Sequence, residues 1–282
     1  MNMRTPDLVG GFAAILSHCP FISTQHDTQP WRYSKRINDI VKKFIHRYIM
    51  KYASAIIAPT ESVRKYLYET ERIPLNKIRV IYHGVDLEKF NMKFSKLGKT
   101  IYVGSLGRFR PEKGQNYIIQ ALPKVLRGLS PKKIEMHFAG EGPSLEQVRR
   151  QAQDLGVSKN VRFLGSIYDV PKFLSGINIL VHAAVSGEAF CYAALEGLAA
   201  GRAVVVTNTD GIPEYVKNNY NGILIPIESP ESIADAIVGL ASDPAMYLRI
   251  CKNAVASCRP FFSKTRMINH TLELYKTVIT RG

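Results

Sequence analysis

Three consecutive runs decide the fold: Ile179-Leu180-Val181-His182, then Glu188-Ala189-Phe190-Cys191-Tyr192-Ala193-Ala194-Leu195-Glu196-Gly197-Leu198-Ala199, then Ala203-Val204-Val205-Val206. The first and last are short, apolar and rich in β-branched residues, so each reads as a buried strand. The Ala- and Leu-rich run between them reads as a helix. Strand, loop, helix, strand is the unit of a parallel sheet.

The same alternation extends in both directions. Upstream, strands are expected at 100–103, 134–138 and 161–164, with helices at 115–127, after Ser144-x-x-Gln147 (a capping box) and near 170–174. Downstream, a strand is expected at 223–226, a helix capped by Ser229-Pro230, and a last helix at 263–279. The first part of the chain repeats the rhythm with a strand at 7–9, a helix at 10–18 and a strand at 20–25. A long helix at 33–54, a strand at 55–58, a helix from Glu61 capped by Thr60 and a strand at 78–81 follow. Residues 91–98 fit neither period and mark a linker. The expected organisation is therefore α/β, with two parallel-sheet domains in tandem. The first covers 1–90 and the second 99–262, and a final helix at 263–282 packs back on the first. Ligands of such sheets bind at the carboxyl ends of the strands.

Composition narrows the class. The 282 residues carry 38 Lys+Arg against 23 Asp+Glu, a net +15, and are 46% apolar, too apolar for a disordered chain. Cys19, Cys191, Cys251 and Cys258 form no C-x-x-C pair, which argues against a zinc site or redox dithiol and for a reducing compartment. No 18-residue apolar run predicts a spanning helix. Pro6 and Asp7 sit where a signal peptide's apolar region would begin, and bulky His18 before Cys19 does not suit a lipoprotein signal. A cytoplasmic protein is expected, peripheral at the membrane's cytoplasmic face if it docks there.

Two constellations carry chemistry. Gly104-Ser105-Leu106-Gly107-Arg108-Phe109-Arg110-Pro111-Glu112-Lys113-Gly114 lies between a strand and a helix. Its glycines allow close backbone approach, and Arg108 and Lys113 place cations beside a helix N-terminus, which suits a diphosphate. By itself such a loop is more often a solvated turn. The second constellation is Glu188 and Glu196, eight residues apart like Glu61 and Glu69 on an ordinary surface helix. Context separates them: Glu188 follows a strand, and the N–H groups near Phe190 to Tyr192 open the next helix toward the same crevice. Carboxylates there suit hydroxyl-rich ligands.

In order, Gly107 to Gly114, Gly140-Glu141-Gly142-Pro143, Glu188 to Val205 and Gly211-Ile212-Pro213-Glu214 resemble the motifs of the retaining group 1 glycosyltransferases (family 4). Tyr82-His83-Gly84-Val85-Asp86 is similar to that family's element before the interdomain linker. The resemblance implies two Rossmann-like domains, the GT-B fold, with the N-terminal one incomplete. It implies that Gly107, Arg108 and Lys113 hold the nucleotide diphosphate in place of a metal ion, so no metal or other cofactor is expected. By the same resemblance Glu196 binds the ribose, Glu188 the donor sugar, and Ser166 and Ile167 wall the base. Backbone N–H groups of Phe190, Cys191 and Tyr192 contact the sugar, and His26 reaches it from the first domain. Glu188 and His26 are the catalytic candidates. Two positions depart from the pattern: Ala189 and Cys191 add bulk where the family has glycine or proline. Family members also carry strands and a glycine-rich loop ahead of the position of Met1. A second polypeptide completing the domain, a truncated coding region and a decayed enzyme are the three readings of that difference.

Residues 31–54 carry seven Lys/Arg and one acid, a net +6. At 100° per residue Ile37, Ile40, Val41, Phe44, Ile45, Tyr48, Ile49 and Tyr52 fill one side, expected to pack on the sheet. Lys35, Arg36, Lys42, Lys43 and Arg47 fall on or near the other, with His46 and Asp39. That basic side is expected to meet an anionic membrane surface; with no recognition motif, nucleic acid is not expected. The function expected is metal-independent transfer of a hexose from a nucleotide-sugar to a glycan or lipid-linked acceptor with retention. The rivals are a non-catalytic or partner-dependent subunit and a sugar-nucleotide epimerase.

Overall fold

The structure, a computed structural model, describes residues 5–26 and 37–280. Trp31 to Arg36 of the basic segment, and Asp27 beside His26, lie outside the described residues. Two compact units result: residues 1–84 with 264–282, and residues 85–263.

The first unit contains α1 (Thr5–Leu16), β1 (Ile22–Thr24), α2 (Ile37–Tyr52), β2 (Ala55–Ala58), α3 (Glu61–Glu69) and β3 (Ile78–Val80). Its three strands are parallel in the order β1-β2-β3, with Ile22 opposite Ala55 and Ile56 opposite Ile78. Thr60 caps α3 as expected, its Oγ1 accepting from the Val63 N–H at 3.2 Å.

Two expectations fail here. Residues 7–9 are helical, the third to fifth residues of α1 rather than a strand. A three-residue apolar run carries too little period to choose, and Pro6 is tolerated where the first-turn N–H has no helical partner. α1 instead meets α2 at Gly11, where an added Cβ would lie 2.3 Å from Ile49 Cγ2.

The second failure is the face of α2. His46, Ile49, Met50 and Ala53 are buried, at the i, i+3, i+4, i+7 spacing of one helix face, whereas Val41, Phe44, Ile45, Tyr48 and Tyr52 are exposed. Phe44 is 65% exposed and Ile49 1%. The helix is rotated from its expected pose because its apolar residues form two stripes, and contact with Gly11 and with Gln25, just beyond β1, selects the one through Ile49 and Met50. Arg47 is drawn into an ion pair with the buried Glu71 at 3.2 Å and donates to the Thr70 carbonyl.

The second unit contains β4 (Thr100–Leu106), α4 (Gln115–Gly128), β5 (Lys133–Ala139), α5 (Leu145–Asp154), β6 (Val161–Phe163) and α6 (Val170–Ser175). It continues with β7 (Ile179–His182), α7 (Tyr192–Ala199), β8 (Ala203–Thr207), α8 (Ile212–Tyr215), β9 (Ile223–Ile225), α9 (Pro230–Ser242) and α10 (Pro244–Cys258). The six strands are all parallel in the order β6-β5-β4-β7-β8-β9. β7 and β8 are buried along their whole length, which explains why they read as continuous apolar runs rather than alternating ones. α4 packs against α5 and α9, and α7 against α10. The chain then returns to the first unit with α11 (Lys264–Ile279).

β4 runs three residues past its expected end, so Gly104 to Leu106 belong to the sheet and the loop starts at Gly107. Ser144 makes no side-chain cap, because its φ of −88° and ψ of −1° are helical rather than extended; its N–H goes to the Phe109 carbonyl at 3.2 Å. Ser229 does cap α9, accepting from the Ser232 N–H at 3.3 Å. No helix among the described residues is long and apolar enough to cross a membrane.

Candidate active site

The loop after β4 is tied to the strand on either side. Gly107 donates to the Ala139 carbonyl at 3.0 Å, and Phe109 to the Glu141 carbonyl at 2.9 Å. Phe109 is buried against the stacked rings of Phe138 and Phe163, with Arg108 and Arg110 on either side of it exposed. The turn Pro111–Lys113 is held to the end of β7 by the Val185 N–H, which donates to the Glu112 carbonyl at 3.0 Å. Gly114 follows at φ +68°, and a Cβ there would lie 1.9 Å from the Ala183 oxygen, so this close approach needs glycine. Packed this way, the loop brings the Lys113 ammonium onto the Glu188 carboxylate, 75 residues away in sequence.

Glu188 lies in the loop after β7 and is only 4% exposed. Its backbone N–H donates to Asp210 Oδ2 at 3.1 Å, and its carbonyl accepts from Gly211 at 3.4 Å. The oxygen that receives Lys113 also lies 3.2 Å from His182 Nε2, close enough for an ion pair though off the line of a hydrogen bond. Burial pushes the Glu188 carboxyl up, but His182 and Lys113 outweigh it and hold the group well below its usual range. Burial pulls the His182 imidazole down, but Cys191 and Glu188 raise it well above its usual range. The result is a buried, charged cluster, and losing one partner of such a cluster typically costs ~3–5 kcal/mol.

Cys191 caps α7 with its sulfur, which accepts from the Ala194 N–H at 3.4 Å. The His182 nitrogen, a Glu188 oxygen and this sulfur lie within 4.8 Å of one another. The Lys113 ammonium reaches this set through Glu188. The Cys191 N–H is engaged by the Tyr215 hydroxyl at 3.1 Å, and Phe190 stacks on the Tyr215 ring at 5.1 Å. Tyr192 is exposed. Burial raises the half-buried Glu196 carboxyl to about 7.

Lys113, Glu188 and Cys191 thus meet in one cluster, at the carboxyl end of β7 and the N-terminus of α7. Arg108 is exposed nearby in sequence and makes no ion pair among the described residues. Ser166 and Ile167 lie on the loop after β6, which Gly140 ties down by donating to the Gly165 carbonyl at 2.7 Å; the Ser166 N–H faces Glu141 Oε1 at 3.4 Å. His26 belongs to the first unit, exposed beyond β1 and stacked on His83 at 5.5 Å. Burial and the neighbouring His26 lower His83 to about 4. His182 and Tyr215 escape a reading by motif. The available signal for His182 is a polar residue closing a wholly buried strand.

The family model described as "Glycosyl transferases group 1" matches residues 88–256, and that described as "Glycosyltransferase Family 4" matches 2–89. The chain belongs to the group 1 glycosyltransferases. This glycosyltransferase is 28% identical over 285 residues to an uncharacterized glycosyltransferase of Methanocaldococcus jannaschii, covering 95% of the chain and 72% of that protein. It is 29% identical over 192 residues to the phosphatidyl-myo-inositol mannosyltransferase of Mycobacterium leprae, covering 67% of the chain and 49% of the relative. The chain therefore spans about half the length of the mycobacterial protein. Among solved structures, HepE of Anabaena in complex with UDP aligns at a TM-score of 0.87 with 22% identity, over 98% of this chain and 77% of HepE. HepE has also been solved with UDP-glucose. At that identity the likeness is one of fold, and it bears out the expected GT-B, parallel-sheet α/β class.

Proposed function

We propose that this glycosyltransferase moves a hexose from a nucleotide-sugar to a glycan or lipid-linked acceptor with retention and without a metal ion. The observation that carries the reading is the pair of partly buried Lys113 with buried Glu188 near the N-terminus of α7. An ammonium and a carboxylate at one helix N-terminus suit the two halves of a sugar diphosphate. Lys113 and Arg108 neutralise charge on the leaving diphosphate, which is where electrostatic stabilisation acts. Glu188 accepts hydrogen bonds from sugar hydroxyls, and Glu196 from ribose. The bond from the sugar's anomeric carbon to the diphosphate breaks while a bond to the acceptor oxygen forms on the same face. The acceptor's proton passes to the departing phosphate oxygen. His26, exposed beyond β1, is the first unit's candidate for contact with substrate. HepE's complexes with UDP and UDP-glucose support a nucleotide-sugar donor, and the mycobacterial relative's name supports a lipid-linked acceptor.

Docking on an anionic membrane surface gains from a specific observation, the exposed apolar stripe of α2 with exposed Lys51 beside it. Such docking would combine shallow apolar insertion with charge, rather than charge alone.

Thermal shift with UDP, GDP, ADP and UDP-glucose tests the donor assignment. Ligand at 100 times its Kd stabilises the folded state by about 2.7 kcal/mol, enough to raise the midpoint by several degrees. The shift should appear with one base and vanish in Lys113→Ala. No shift with any of these nucleotides overturns the assignment.

A further inference from the structure

His182 is more deeply buried than its polarity explains. It closes β7, whose other three residues are fully buried, and is itself 5% exposed. A buried imidazole needs a partner to offset its desolvation. The titratable groups gathered around it come from three loops and caps of the unit. Glu188 comes from the loop after β7, the Cys191 sulfur from the cap of α7, and Lys113 lies across the Glu188 carboxylate from the loop after β4. Behind these, Asp210 holds the Glu188 N–H and the Tyr215 hydroxyl holds the Cys191 N–H.

One carboxylate oxygen therefore faces two basic groups, and the two are not equivalent. Lys113 is a flexible ammonium on a loop. His182 is fixed on the middle of the sheet. A diphosphate arriving at Arg108 and Lys113 competes with Glu188 for the ammonium, and a carboxylate left alone at this depth would take up a proton or move.

We propose that His182 is a positioning residue of the donor site: it stays on Glu188 as an imidazolium when Lys113 turns to the donor's phosphates, keeping the carboxylate charged and fixed toward the sugar. The proposal rests on the nucleotide-sugar reading of the site. Lys113 is the exchangeable partner and His182 the permanent one. The upward displacement of the His182 imidazole by Glu188 and Cys191 agrees with this division.

Two measurements test it, the first without any ligand. In the chain labelled with ¹⁵N at its seven histidines, the resonance missing from His182→Gln should keep the imidazolium pattern at pH 8. It should change to the neutral pattern in Glu188→Gln. A neutral His182 at pH 8 in the unaltered chain overturns the proposal and leaves the donor reading untouched.

The second measurement uses inorganic pyrophosphate, which carries the diphosphate charge and no base. His182→Gln should weaken its binding at pH 8 at least tenfold, because Glu188 then holds Lys113 more tightly. The double variant His182→Gln with Glu188→Gln should recover most of that loss, as a merely structural defect would not. Equal binding to the unaltered chain and His182→Gln overturns the positioning role alone. Pyrophosphate that fails to bind the unaltered chain overturns the donor reading and the exchange of Lys113 with it.

Discussion

Gly114 and Gly156 share a φ of +68° and differ in surroundings, so alanine at each separates backbone strain from site geometry. A Cβ at Gly156 meets nothing within 4 Å, whereas at Gly114 it would lie 1.9 Å from the Ala183 oxygen and 2.8 Å from the Ala183 carbonyl carbon. Gly156→Ala should therefore lose only the left-handed backbone penalty, ~1–2 kcal/mol. Gly114→Ala loses the same and must also move two packed backbone segments apart by over 1 Å, an overpacking cost of about 1–3 kcal/mol more. In a domain of this size each kcal/mol lowers Tm by ~2–4 °C, so the two variants should melt several degrees apart. The displaced segment carries Lys113 and lies against the end of β7, so Gly114→Ala should also weaken pyrophosphate binding, while Gly156→Ala should not. The assay is a pair of melts with and without pyrophosphate. Equal melting points and equal binding in the two variants would refute the claim that the approach of Gly114 to Ala183 positions Lys113.

Further outcomes follow from burial and charge. The Glu196 carboxyl, raised to about 7, is partly protonated near neutrality; ribose hydroxyls donating to it favour the charged form, so binding expels a proton. Nucleotide affinity should then rise from pH 6 to 8, and calorimetry in buffers of different ionisation enthalpy should show proton release that Glu196→Gln abolishes. In the free chain the same group opposes stability as pH rises from its unfolded value through about 7, since the folded state binds the proton more tightly. On α2, Ile49→Ala should cost ~2–5 kcal/mol in urea unfolding and Phe44→Ala no more than ~0.5 kcal/mol. Equal losses would refute packing through the Ile49 stripe alone, and a larger loss at Phe44 would show that the helix packs through the other stripe.

Glu71 shows why side-chain position is hard to read from sequence. It looks like a surface acid after α3, yet it is 2% exposed, with Arg47 and the Tyr66 hydroxyl on its carboxylate. The α2 stripes carry the same lesson: periodicity identifies a helix with two apolar faces, but only the neighbours Gly11 and Gln25 choose between them. Cap chemistry behaves differently. Thr60 and Ser229 cap as read because their partners lie within the same turn, and Ser144 fails because its own backbone is helical, its N–H bonded to the Phe109 carbonyl 35 residues earlier.

The order of the six strands along the second unit, the presence of a glycine-rich loop after β4 and the choice of Glu188 and Glu196 as candidates were legible in the sequence alone. Short-range period, turn glycines and motif spacing are local properties of the chain, and β-branched runs in a parallel sheet read the same in any context. Only the tertiary structure decided that Lys113 and His182 meet on one oxygen of Glu188, and that the Cys191 N–H is engaged by Tyr215. Those contacts join different elements of the fold, at the carboxyl ends of adjacent strands. Strand order sets them, and strand order comes from how the helices pack on the sheet.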